Sequence, residues 1–122
     1  MNLQKVISGF FFILAMTLNF GFFYGDAKDL LMHTNYELYA ALVVSLIATV
    51  LKIGDKTQIG SVLLASSLVA DMQLITATIV WTLTESMTVG TMATIVSLSG
   101  GALMANITSV ILYIGETLKS KR

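Results

Sequence analysis

Apolar residues in this chain gather into four long runs separated by three short polar stretches. At helical period the runs read as helices over about residues 3–24, 35–53, 56–84 and 89–118. A helix rises about 1.5 Å per residue, so each run can cross a hydrocarbon core of about 30 Å. No proline interrupts any of them. The first run continues from Val6 to Tyr24 with no small-residue cleavage site close behind it, so it reads as a retained helix rather than a secretory leader. The expectation is an all-α integral membrane protein, one domain over residues 1–122, with four transmembrane helices.

The third run carries an anomaly. From Gly60 to Leu83 it would rise roughly 36 Å, which puts Asp71 near the bilayer midplane. An ionised carboxylate at that depth costs on the order of 2.5–3.5 kcal/mol, so intramembrane acids face a bundle interior or a water-filled cavity. At 100° per residue, Gly60, Ser67, Thr78, Thr82 and Glu85 fall within about 40° of Asp71 and form one polar stripe. Leu64, Leu74 and Ile75 interrupt it, and Gln73 and Thr76 lie on the other side, so this helix has no clean lipid-facing half. Two readings of Asp71 follow. It is either a buried polar group bonded to a serine or threonine of a neighbouring helix, or a carboxylate that meets a cation or a proton. On the second reading Ser67, Thr78 and Thr82 provide hydroxyl steps and Glu85 a charge at the mouth.

In the fourth run Ala93, Ser97, Gly101, Ala105 and Ser109 recur every four residues. Lipid gives helices no hydrophobic drive to associate, and small residues at this spacing let backbones come close, so the ladder is the expected packing seam, to helix 3 or to another copy. Asn106 lies on roughly the opposite face, so two faces of this helix should meet protein. Thr17, Gly21 and Gly25 make a similar ridge on helix 1, where Asn19 is a candidate interhelical hydrogen bond. Thr34 with Glu37 suits a capping box at the start of helix 2. Gly54 suits the left-handed position after that helix, and Asp55 with Gln58 the start of the next.

Composition agrees with the pattern: 56% of residues are hydrophobic and 11% charged, with a formal net charge of zero. Placement of charge matters more than its sum. On a four-helix path Lys5, Lys52, Lys56, Lys119, Lys121 and Arg122 share one side and Lys28 alone takes the other, so both termini are expected in the cytoplasm. Tyr24, Tyr36, Tyr39 and Trp81 then gather at the outer interface, where amphipathic rings prefer to sit. The chain has no cysteine, and its one histidine, His33, lies in the first loop, so neither a metal nor a cofactor is expected. It offers no acid dyad, Ser/His pair or metal motif for an enzyme. The basic C-terminus reads as a topology signal, not as a nucleic-acid site.

The segments LQKVISGFFF, KIGDKTQIGSVLLASSLVAD and SLSGGALMANI resemble a family of small uncharacterised bacterial inner-membrane proteins over nearly the whole length. That resemblance implies a bacterial inner-membrane location and no particular activity. More locally, Ile53-Gly54-Asp55-Lys56-Thr57-Gln58 is similar to the Glu-x-Gly-Asp-Lys-Thr motif of calcium/manganese cation–proton exchangers, which implies Asp55 as a cation ligand. Lys52 stands where the motif's other acid would be. The function expected is a small homo-oligomeric protein of the lipid bilayer that conducts or transports a proton or a monovalent or divalent cation. In it Asp71 from each copy forms a ring of carboxylates at a shared axis. The alternative is a non-catalytic adaptor or assembly subunit in which Asp71 pairs with a partner's helix.

Overall fold

The computed structural model describes residues 3–24, 35–53 and 58–120. Four α-helices make up these residues: α1 (Leu3–Phe23), α2 (Asn35–Lys52), α3 (Gln58–Leu83) and α4 (Val89–Ser120). Each is long and apolar enough to cross a membrane. Thr88 sets the start of α4, its Oγ1 accepting from the Thr91 backbone N–H at 3.1 Å, as a threonine at a helix N-cap does.

Short polar contacts fix how the helices run. Tyr113 Oη donates to the Lys5 carbonyl at 2.8 Å, and Ser99 Oγ donates to Asn19 Oδ1 at 3.0 Å, so the start of α1 lies beside the end of α4 and the two are antiparallel. The Ser66 and Ser109 hydroxyls meet at 2.5 Å, and Gln73 lies against Gly101, so α3 and α4 are antiparallel too. With α1 packed on α2 and α4, and α3 packed on the same two, the bundle is an up-down ring. One end therefore holds Lys5, Lys52 and Lys119, and is called the terminal end below. The other holds Tyr24, Tyr36 and Trp81.

The two halves of the ring differ in character. Toward the Trp81 end the interior is apolar, built from Phe22, Leu38, Leu74, Met92 and Ile95 with small alanines between them. Toward the terminal end it is largely polar, with Ser8, Ser45, Thr49, Lys52, Ser67 and Asp71 buried. Large apolar side chains such as Ile13, Val43, Leu68, Met72 and Ile111 cover the outside, as lipid contact requires.

α1 does not use the ridge expected of it. Thr17 is exposed and bonds its own Leu14 carbonyl, Gly21 is exposed, and Gly25 lies outside the described residues. The face that α1 buries carries Ser8, Phe12, Ala15, Asn19 and Phe22, at spacings of three and four. Ser99→Ala removes the hydroxyl that reaches Asn19 across α1 and α4, leaving the Asn19 amide, whose Nδ2 has no hydrogen-bond partner among the described residues, without its Oδ1 bond. Unfolding in mixed detergent micelles should show a loss of about 1 kcal/mol, within the range of intramembrane hydrogen bonds.

Candidate functional site

On α2, Ser45, Thr49 and Lys52 follow at spacings of four and three, which places them on one face. Ser67 and Asp71 do the same on α3. Where the antiparallel helices meet, these faces close into a polar seam. Ser45 Oγ donates to Asp71 Oδ1 at 2.6 Å and Thr49 Oγ1 donates to Asp71 Oδ2 at 2.5 Å. One helical turn nearer the terminal end, Lys52 Nζ donates to Ser67 Oγ and lies 4.2 Å from the centre of the Phe12 ring. Asp71 and Lys52 are each only 5% exposed. A hydroxyl and an aromatic face are neutral partners for a buried ammonium, and the opposing charge is Asp71, acting through space.

Thr49 has one hydroxyl proton and two acceptors in reach, Asp71 Oδ2 and the Ser45 carbonyl at 3.0 Å. With Asp71 ionised, the Thr49 proton points to the carboxylate. With Asp71 protonated, the acid can donate to Thr49 Oγ1 while Thr49 turns its own proton to the Ser45 carbonyl. Both states satisfy the carboxyl group without moving a heavy atom.

A cavity of about 450 Å³ lies at the terminal end. Lys5, Ser8, Phe12, Lys52, Tyr113 and Glu116 line it, with Gly60 and Leu63 adding a wall from α3. Lys52 therefore joins the seam to this vestibule. A second, apolar groove of about 190 Å³ runs between α1 and α4 and shares Phe12 and Tyr113 with the first.

The Asp71 stripe divides at this level. Gly60, Ser67 and Asp71 are buried, the last two against α2 of the same chain. Thr78 Oγ1 bonds its own Leu74 carbonyl at 2.8 Å, Thr82 is exposed with its hydroxyl 3.4 Å from Tyr39 Oη, and Glu85 is exposed beyond the end of α3. The carboxylate of Asp71 thus meets α2 of its own chain.

The α4 ladder divides as well. Gly101 lies under Gln73 and Ser109 bonds Ser66, so these two steps meet α3. Ala93 and Ala105 are half-buried, and Ser97 is exposed. On the opposite side Asn106 Nδ2 donates to the Ala15 carbonyl at 3.5 Å, so α4 meets helices of its own chain on two faces.

Of the capping residues, Thr34, Gly54 and Asp55 lie outside the described residues, and Gln58 opens α3. Lys52, counted among the basic residues expected on the cytoplasmic side, ends α2 with its side chain inside the bundle. Ser45 and Thr49 had no place in the sequence reading. Their spacing of four from each other was the available signal, since it repeats on α2 the Ser67–Asp71 spacing of the next helix.

No curated protein and no solved structure matches the chain, so the local likeness to cation–proton exchangers has no support from a relative. One family profile matches residues 32–117, a stretch that contains the whole seam from Ser45 to Asp71. The chain accordingly belongs to a family of unknown function, DUF6394.

Proposed function

We propose that this is a proton-handling membrane protein, in which Asp71 binds the proton and the terminal-end vestibule brings water toward it. The observation that carries the reading is the Asp71 carboxyl between Ser45 and Thr49, buried at mid-bundle yet bonded so that either protonation state is satisfied. Ser67 lies four residues before Asp71, about 6 Å along the axis, close to the span of one water that bonds at both ends. A metal cation is disfavoured at this seam, because Lys52 stands on the approach and two hydroxyl protons already point at the acid.

Charge bias supports a cytoplasmic terminal end, so that the vestibule opens to the inside, and a bacterial inner membrane is the location this reading takes. Ser97, exposed between Ala93 and Gly101, leaves part of the ladder for a second copy, which makes a homo-oligomer of such bundles the preferred assembly. Each bundle then carries its own proton site. Enzyme activity forms no part of this reading.

Vesicles containing the purified protein and an internal pH dye test it under an imposed pH gradient and membrane potential. Proton entry should exceed that of protein-free vesicles and should stop in Asp71→Asn. Wild-type vesicles no leakier than empty ones would sink the proposal.

The second reading is a non-catalytic adaptor, and it has an observation of its own. Both Asp71 oxygens are satisfied within one chain, as in a residue that only specifies packing. It expects no flux from either form, and a stoichiometric partner that co-purifies equally well with wild type and Asp71→Asn.

A further inference from the structure

We infer that the vestibule and the apolar groove beside it are one binding site for an anionic lipid, with the head group at Lys5 and Lys52 and an acyl chain between α1 and α4. Three observations converge on this. Among the described residues the vestibule presents two lysines, from α1 and α2, and one carboxylate, Glu116. The groove is walled by Gly9, Ile13, Val110, Ile114 and Leu118, all without charge. The two hollows share Phe12 and Tyr113, so a polar chamber passes into an apolar channel along the same pair of rings, which stand edge to face at 4.9 Å.

Position and charge select the occupant. The site is at a bundle end, where α1 begins and α4 leaves the apolar span, which is the level of lipid head groups. Basic pockets between transmembrane helices are suited to such head groups. Lys52 has a hydroxyl and a ring as its direct contacts among the described residues and Asp71 as an opposing charge one turn deeper, so a phosphate oxygen reaching it through the vestibule adds a charged partner in direct contact. A zwitterionic head group would bring its own cation toward two lysines and gain less. Gly9 helps to give the groove its depth, because even a methyl there would stand 3.4 Å from the Tyr113 ring. A free phosphate could use the lysines, yet only a lipid uses the groove as well.

This inference does not depend on proton uptake at Asp71, and its test reads no flux. Native mass spectrometry of the whole detergent-solubilised protein compares phosphatidylglycerol, phosphatidylcholine and inorganic phosphate. Phosphatidylglycerol should be retained in preference to phosphatidylcholine and should resist an excess of phosphate. Lys5→Gln should weaken its retention about fivefold, as loss of one interfacial lysine predicts. Ile114→Phe, which fills the groove, should weaken it without touching a charge. Lys5 and Ile114 are exposed, so both variants keep the interior intact, which thermal unfolding can verify. Equal retention of the two lipids, displacement by phosphate alone, or unchanged retention in both variants would overturn the inference.

Discussion

Asp71→Leu is expected to destabilise the folded bundle by about 3 kcal/mol, whereas Asp71→Asn should cost about 1 kcal/mol and abolish proton entry. The difference lies in what each side chain does for α2. Leucine removes the acceptor of two charge-assisted bonds, from Ser45 and Thr49, and sets a branched apolar group against their hydroxyls. Asparagine keeps the shape. Its Oδ1 accepts from Ser45, its Nδ2 donates to Thr49 Oγ1, and Thr49 turns its proton to the Ser45 carbonyl at 3.0 Å. Two charged bonds become neutral ones, and Lys52 loses an opposing charge but keeps its place on the vestibule wall and its contacts with Ser67 and Phe12. An amide therefore resembles the protonated acid in geometry and differs in being unable to release the proton. Detergent unfolding and vesicle flux on the same two variants separate the readings. A well-folded Asp71→Asn that still passes protons removes Asp71 from the mechanism. An Asp71→Asn as unstable as Asp71→Leu makes the residue a packing element.

The parts of this molecule legible in its sequence are those that lipid imposes. Four spans are visible because a helix must stay apolar for about 20 residues to cross, and Asp71 is visible because it violates that demand. Which way a residue at a helix end points is not written in the same way. Lys52 has the same spacing and flanks whether it extends into water or folds back onto Phe12 and Ser67, so only the packing of α1 and α3 decides. Ser45 and Thr49 were silent for a related reason. A hydroxyl in a span can bond its own helix, as Thr78 does to Leu74, so it reveals a partner only once the facing helix is known. That freedom also explains why sharing an azimuth with Asp71 did not give Thr78 and Thr82 a share in its site.

The α4 ladder shows a limit of a different kind. Residues four apart are rotated by about 40°, so the four steps from Ala93 to Ser109 turn about 160° around the helix. No single neighbour can cover such an arc. Ser109 is buried against α3 while Ser97 is exposed, although the two are equivalent in the pattern. A strict four-residue period marks where backbones can approach, and the twist decides which of those places are used.

Gly101 is the used place with the largest expected consequence. A Cβ built there would stand 2.6 Å from Gln73 Cδ, an overlap that something must relieve. Gly101→Ala has an easy relief, because the Gln73 amide is the end of a flexible, half-buried side chain and can swing aside. Gly101→Leu has none, since its branched end reaches past the amide toward the α3 backbone, and the helices must part. Helix propensity alone would favour leucine over glycine by about 1 kcal/mol, so a net loss of about 2 kcal/mol in detergent unfolding means that overlap dominates. Gln73→Ala in the Gly101→Leu background should return part of that loss, and the size of the return measures the coupling of the two positions. Proton entry should fall along with stability, because Gln73 lies two residues from Asp71 and α3 cannot leave α4 without disturbing its register on Ser45, Thr49 and Lys52. A Gly101→Leu protein as stable as wild type would mean that α3 and α4 do not meet at this step of the ladder.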